Sequence, residues 1–455
     1  MNASIRFSHG FLTKIRSELL ANTDQEAFAV ALGSRQEILG KTNVVIREIF
    51  TLDESDYISR SLGHVTPRKE IIMEILSNVT RRLDVDTIID IHTHPFSNEH
   101  VNFSSVDDRD ERQFAKFMNQ YFDGIHFASI VFSRNRYRAR FWEYDENNLT
   151  SRRASIKTQT SFENIPESTD YDRVSVNCDF NDSMQARTIL ALGLDNCRRM
   201  TSGQKIVLAG VGGLGSVMAE HLVHLGFSRI GLIDPDCLEI SNMNRFVGAT
   251  LEDAKIGLPK VEVVERHIKS INPNISVDIT QECLDHIAAR KMMADADWIL
   301  LSTDNHSSRL SCQTTALEFG IPLISAGVNI SVAENKVSDM SGEVITIRLG
   351  DNFCLSCLGR INFARIASES HPEQAVREAT LARGYVEGIH IKEPAVKTLN
   401  TIIGTLAVET LVDQYTKPSG HVPILVYENN GSRRIYEDRE SLDVRHKECS
   451  LCHVW

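Results

Sequence analysis

The chain has 455 residues, 42% of them hydrophobic and 24% charged, which at roughly 150 residues per domain suits two or three globular domains and excludes a disordered polymer. Its 49 Lys and Arg against 61 Asp and Glu leave a net charge of −12, the wrong balance for a general nucleic-acid binder, whose phosphate contacts need clustered cations. No run approaches the ~20 apolar residues of a membrane span, and MNASIRFSHG lacks a basic stretch followed by an apolar one, so the expectation is a cytoplasmic α/β protein.

Residues 9–21 carry apolar side chains at helical spacing, and 26–33 and 43–50 are strand-like runs. Residues 69–83 predict a second amphipathic helix, 86–91 a strand leading into His92-Thr93-His94-Pro95, and 127–143 two closing strands. From 146 to 180 the pattern lapses into Asn, Ser, Thr, Arg and Asp, which is read as a linker with Arg152 and Arg153 at its basic start. Strand–helix alternation resumes from 181, as a parallel βαβ sheet requires. The expected domains are therefore 1–145 and 181–455.

His92 and His94 stand two apart at the end of a strand, so both can face one metal. Imidazoles suit zinc, and a catalytic zinc takes three protein ligands plus water; Ser104-Ser105-Val106-Asp107-Asp108 offers a carboxylate as the third. An H-x-H pair alone serves equally as a solvated or hydrogen-bonded pair. Together with an upstream Glu on an early strand, H-x-H-P followed by S-x-x-D resembles the JAMM (JAB1/MPN+) metallopeptidases, an α/β fold similar to cytidine deaminases, which cleave ubiquitin-like proteins. HGFLTKIRSELL and DQEAFAVALGS resemble that family's opening helix and Glu-bearing strand. The resemblance implies His92, His94 and Asp107 as zinc ligands, Glu26 as general base and Ser104 as oxyanion stabiliser. Nine residues separate His94 from Ser104, a longer spacing than the family commonly shows, so Ser105/Asp108 competes with the favoured Ser104/Asp107.

In the second half, the apolar run 205–209 meets Gly210-Val211-Gly212-Gly213-Leu214-Gly215, and 214–226 follow as a helix. A strand at 229–233 ends at Asp234, about 20 residues on, where an acid reaches a ribose hydroxyl. That much suits NAD equally well. The following Ser241-Asn242-Met243-Asn244-Arg245, Lys255-Ile-Gly257-Leu-Pro-Lys260 and, after the strand 298–302, Thr303-Asp304-Asn305 and Arg309 gather cations and carboxylates at strand ends, which triphosphate and magnesium need and hydride transfer does not. From about Gln185 to Trp455 the series resembles the adenylating superfamily of ThiF, MoeB and the ubiquitin-activating enzymes. The resemblance implies a Rossmann-like fold binding ATP and magnesium. Gly210, Gly212, Gly213 and Gly215 would form the nucleotide loop, and Asp234 would hold the ribose. Asn242, Arg245 and Lys260 would meet the phosphates, and Asp304 would bind magnesium and position the acyl group. Arg187 matches an arginine that reaches the partner's ATP in family dimers, so a homodimer is expected.

Cys354-Leu-Ser-Cys357 and Cys449-Ser-Leu-Cys452 together predict a closed, structural four-thiolate zinc site, and the MoeB-like family places its zinc in these positions. The remaining Cys178, Cys197, Cys237, Cys283 and Cys312 are read as small buried hydrophobes. Residues 358–448 contain no cysteine, where thioester-forming relatives carry one. This implies adenylation without a thioester of the usual kind.

The resemblances together imply two opposed activities on a ubiquitin-like protein: adenylation of its C-terminal glycine, and zinc-dependent processing or deconjugation. Such fusions resemble parts of bacterial ubiquitin-like conjugation systems, often tied to anti-phage defence, in which a conjugating enzyme can follow. Activation of a sulfur carrier for molybdopterin, thiamine or cysteine synthesis is an alternative, with the peptidase trimming the carrier. A non-enzymatic MPN scaffold is another.

Overall fold

The computed structural model describes residues 3–145, 148–160, 163–168, 184–201, 203–334, 336–369, 394–417, 422–442 and 449–452. The chain divides into two units, Met1–Cys178 and Asp179–Trp455. Among the described residues, no helix is long and apolar enough to cross a membrane.

The first unit runs β1 (Ala3–Arg6), α1 (Phe11–Leu19), β2 (Phe28–Ile38), β3 (Lys41–Thr51), a small ribbon of β4 (Tyr57–Arg60) and β5 (Val65–Pro67), α2 (Lys69–Val79), β6 (Thr87–Thr93), α3 (Ser105–Tyr121), β7 (His126–Phe132), β8 (Tyr137–Asp145) and β9 (Asn148–Lys157). The large strands close a barrel in the order β1-β3-β2-β6-β7-β8-β9. Alternation divides each strand between two cores. Ala29, Ala31, Ile89 and Ile91 point with Ile130 and Phe141 into the barrel, which α1 plugs with Leu12, Ile15 and Leu19. Val30, Leu32 and Ile88 point outward and are covered by Ile75, Leu76 and Val79 of α2 and Met118 of α3. Burying each such aliphatic side chain contributes about 1.5–3 kcal/mol.

The expected linker needs correction at its start. Residues 148–157 are β9, antiparallel to β8 and parallel to β1, and they complete the barrel. Ala154 and Ile156 face the barrel core and Leu149 the opposite side, with Phe127 and Trp142, but the arginines between them hide the pattern. Arg152 donates to Glu143 at 2.8 Å across the sheet, and Arg153 pairs with Glu167. Charged side chains thus pair on both faces of a strand instead of marking a break. Residues 146–147, 161–162 and 169–180 of that linker lie outside the described residues.

The second unit begins with α4 (Ala186–Leu192) and α5 (Leu194–Thr201). It continues through β10 (Lys205–Ala209), α6 (Gly213–His224), β11 (Arg229–Ile233), α7 (Leu251–Ile256), α8 (Lys260–Ile271), β12 (Ser276–Thr280), α9 (Ile287–Ala294), β13 (Trp298–Leu301), α10 (His306–Glu318), β14 (Leu323–Ala333) and β15 (Lys336–Ile347). After the helices Phe363–Glu369 and Lys397–Thr416 come β16 (Ile424–Asn429) and β17 (Arg433–Glu437). The eight-stranded sheet has the order β12-β11-β10-β13-β14-β15-β16-β17. β12 to β14 are parallel, and β15, β16 and β17 run antiparallel to their neighbours. β10 is flanked by β11 on one side and β13 on the other, so the direction of winding reverses there. A crevice opens at the strand C-termini at such a point. α6 is buried on most sides, and Gly404 of the helix Lys397–Thr416 permits close approach: a Cβ there would lie 3.1 Å from Val217 of α6.

Candidate active sites

In the barrel unit, His92 is the last residue but one of β6 and His94 lies just beyond the strand, with its N–H bonded to Phe132 O at 2.7 Å. Ser104 caps α3: its Oγ accepts from Asp107 N at 3.2 Å, and its own N–H donates to Asp107 Oδ2 at 2.6 Å. This capping box turns Asp107 toward the two imidazoles. His92 Nε2 lies 3.5 Å from Asp107 Oδ1, and His94 Nε2 lies 3.6 Å from Asp107 Oδ2. Tetrahedral zinc with bonds of about 2.0–2.1 Å sets its ligand atoms roughly 3.4 Å apart, so the set fits. His92 Nε2 is also buried without a hydrogen-bond partner, the vacancy a metal bond fills. Asp108 faces elsewhere and accepts from Arg140 Nη1 at 2.5 Å. Of the two competing Ser/Asp pairs, the structure brings Asp107, with Ser104 as its cap, to the histidines.

Glu26 was expected on a strand; it lies two residues before β2. It is 5% exposed, not a solvated carboxylate, and its Oε1 stands 3.9 Å from His94 Nε2, beside the cluster of His92, His94 and Asp107 but not part of it. Its N–H donates to Ser61 O at 2.7 Å, and the adjacent Ala27 N donates to Thr93 Oγ1 at 2.9 Å. Thr93, between the two histidines, therefore ties the Glu26 segment to both of them. The sequence offered its signal in H-T-H, but not its role. Burial raises the Glu26 carboxyl to about 7, in the range of a general base. Burial, and His92 beside it, push His94 down to about 4. Burial also works against charge on His92, but Asp107, Asp90 and Glu111 outweigh it and raise this imidazole to about 9.

In the second unit, Gly210 follows β10 with φ of +91°, and a Cβ there would lie 3.0 Å from Thr303 beyond β13. Gly215 leaves room only for a hydrogen, because a Cβ would overlap the Gly210 carbonyl oxygen. Gly212 caps α6 and has open space before it, as an anion at a helix N-terminus needs. At Gly213 a Cβ would meet Asn400 Nδ2 at 2.6 Å and Arg245 Cγ at 2.7 Å, so both side chains line the loop. Asn400 is a neighbour the sequence did not reveal.

Asp234 is buried at the end of β11. Its Oδ2 accepts from Val211 N at 2.8 Å and its Oδ1 from Asp236 N at 3.0 Å, joining the glycine loop to the next. Burial raises its carboxyl, against the pull of Lys260. Lys260 Nζ lies 3.8 Å from Asp234 and donates to Asp236 at 2.6 Å. Burial opposes its charge, but Asp234, Asp236 and Asp304 hold it protonated and raise its pKa. Asn242 caps a turn by accepting from Glu239 N at 3.0 Å, and Arg245 Nη1 donates to Ser241 O at 3.0 Å. Asp304 stands exposed beside Asn305, the N-cap of α10. Arg187 is exposed on α4, and no interaction among the described residues ties it to the glycine loop.

The four cysteines of the two C-x-x-C pairs have sulfur atoms mutually within 4.8 Å, with Cys354–Cys357 at 3.7 Å, Cys354–Cys449 at 3.8 Å and Cys357–Cys452 at 3.4 Å. Zinc–sulfur bonds of about 2.3 Å set tetrahedral sulfurs roughly 3.8 Å apart, so this set also fits. A hydrogen bond from Cys452 pulls Cys354 down to about 5, and burial pushes Cys357 up to about 11. Crowded thiols share protons in this way, and a divalent cation would replace them. Replacing Cys449 and Cys452 with Ser is expected to lower the calorimetric melting transition of this unit, by about 2–4 °C per kcal/mol lost, and to leave the barrel unit's transition in place. Of the other cysteines, Cys197 and Cys312 are buried as expected. Cys237 and Cys283 are exposed because both sit in loops beyond β11 and β12, which corrects the reading of them as core residues. Cys178 lies outside the described residues.

The sequence model of the ThiF family matches residues 184–451. The chain belongs to the ThiF family. It is 30% identical over 210 residues to ubiquitin-like modifier-activating enzyme 5 of Xenopus laevis, a match covering 43% of this chain and 50% of that protein. It is 29% identical over 178 residues to the molybdopterin-synthase adenylyltransferase of Escherichia coli K12, covering 38% of this chain and 67% of that one. The chain spans about half the length of the modifier-activating enzymes it matches. Among solved structures, E. coli MccB in a crystal structure with ATP shares 19% identity at a TM-score of 0.46, over 60% of this chain and 76% of MccB.

Proposed function

We propose that the ThiF-family unit adenylates the C-terminal carboxylate of a small ubiquitin-fold carrier, either a sulfur carrier or a ubiquitin-like modifier, and that the barrel unit is a JAMM-type zinc peptidase acting on the same tail. The observation that supports the first activity best is the meeting of the glycine loop, Arg245, the Asp234/Asp236-paired Lys260 and Asp304 around the ends of β10, β11 and β13. Both kinds of carrier activation are represented among the family members that match. In the reaction, a carrier carboxylate oxygen attacks the α-phosphorus of ATP and pyrophosphate leaves. Lys260, Arg245 and the α6 N-terminus neutralise the phosphates, and Asp304 would hold magnesium. With no cysteine between residues 358 and 448, the adenylate passes directly to the next acceptor, a sulfur donor or a conjugating enzyme. The homodimer expected from Arg187 is part of the same proposal.

The second activity is supported by the Glu26/His92/His94/Asp107 geometry. Zinc bound by His92, His94 and Asp107 supplies Lewis-acid polarisation of water and carbonyl. Glu26 accepts a proton from water and returns it to the leaving amine, and the Ser104 hydroxyl donates toward the developing oxyanion. The deciding experiment is ATP–pyrophosphate exchange with purified sulfur carriers and ubiquitin-like proteins. Exchange should require one carrier ending in glycine and fall at least about 100-fold in Asp304→Ala. Exchange that proceeds without any carrier, or none with any carrier, would refute the adenylation proposal.

A further inference from the structure

Behind His92 stand two carboxylates that the proposed reaction leaves unused. Asp90 and His92 are two apart on β6 and share the face that α3 covers. In register with Asp90 across the sheet lie Ser129 of β7 and Arg140 of β8. Glu111 follows Asp107 by one turn of α3 and so lies on the same side of that helix. It is 4% exposed. Its Oε2 accepts from Arg140 Nε at 2.8 Å and from Trp142 Nε1 at 2.7 Å, while Arg140 also holds Asp108. This clamp fixes the first turns of α3, and with them Asp107.

The remaining oxygens are the informative ones. Glu111 Oε1 and Asp90 Oδ1 are both shut off from solvent without a hydrogen-bond partner. Asp90, His92 and Glu111 each place a ligand atom within 4.8 Å of the others'. Unpartnered buried carboxylate oxygens are costly, so two behind one imidazole call for a donor. His92 has one to give. With Nε2 turned to Asp107, its other ring nitrogen must carry the proton whenever Nε2 binds a metal.

We propose that Asp90 and Glu111 are positioning residues of the metal centre, accepting the ring N–H of His92 and so fixing the tautomer that leaves Nε2 free for zinc. The inference rests on the zinc reading of His92, His94 and Asp107. A carboxylate behind a ligating histidine orients the ring and raises its basicity, and its loss costs about 10–100-fold in metal affinity.

The test uses the full chain with Asp90→Asn and Glu111→Gln, both of which keep side-chain shape, and His92→Ala as reference. Zinc per chain is counted after dialysis against graded chelator, the visible bands of the cobalt-substituted protein are recorded, and melting curves check the fold. Asp90→Asn should melt like wild type and Glu111→Gln lower, since it also loses the charge that faces Arg140; both should keep the four-cysteine ion and release the histidine-bound ion at an affinity about 10–100-fold lower, with shifted cobalt bands. Wild-type retention and unshifted bands in both variants, alongside loss of the ion in His92→Ala, would overturn the positioning role and leave the metal centre standing. An equal ion count in wild type and His92→Ala would remove the metal centre itself, and this inference with it.

Discussion

Glu26→Gln should slow cleavage after a carrier's C-terminal tail by about 10²–10⁴-fold, the usual contribution of a positioned general base. Zinc content and ATP–pyrophosphate exchange should be unchanged. The substitution keeps the size of a side chain that is 5% exposed and whose backbone is held by Ser61 and, through Ala27, by Thr93. What it removes is the proton acceptor 3.9 Å from His94. Because Glu26 is not one of the three residues whose ligand atoms gather within 4.8 Å, an ion held by those three should stay. The substrate is the carrier extended by a short peptide, with release followed by mass spectrometry. Cleavage at the wild-type rate would show that another group takes the proton. Loss of zinc together with activity would make Glu26 a ligand instead.

The second large effect is expected at Gly215. A methyl group there has to enter the Gly210 carbonyl oxygen, which is backbone and cannot swing away as the Ser302 hydroxyl beside it could. Gly215→Ala should therefore force the glycine loop and the start of α6 apart, at a stability cost of about 1–3 kcal/mol, and abolish exchange. Gly212→Ala is the informative contrast. Nothing lies within 4 Å of the added methyl, so the melting temperature should hold, while the space before α6 that the phosphates need becomes occupied. Calorimetry and nucleotide titration on the two variants separate folding from binding. If Gly212→Ala binds nucleotide like wild type, the phosphates do not sit at this helix end.

These sites were unequally legible in the sequence. β10 and β11 begin and end where the apolar runs 205–209 and 229–233 do, because strands buried on both faces leave unbroken hydrophobic stretches. The two histidines were visible because a spacing of two puts both on one side of a strand. β1 and β9 were not visible: one is four residues long and the other is rich in arginine, and both are held by pairing to distant partners instead of by local pattern. The carboxylates behind His92 were equally hidden. Asp90 read as a polar interruption in a strand and Glu111 as one charge among many on α3, until β8 brought Arg140 and Trp142 to them.

The barrel is fastened by contact between its outermost strands: Ser155 of β9 donates to Ala3 of β1, 152 residues away in the chain. Non-local pairing of this kind slows folding, since a large loop must close before the contact repays it. During synthesis His92, His94 and Asp107 all emerge before β9 exists, so the proposed ligand set is made well ahead of the wall that completes its barrel. A half-made chain would therefore carry metal-binding side chains without a finished scaffold. The proposed hydrolysis should therefore become possible late and abruptly, with the last strand of this unit.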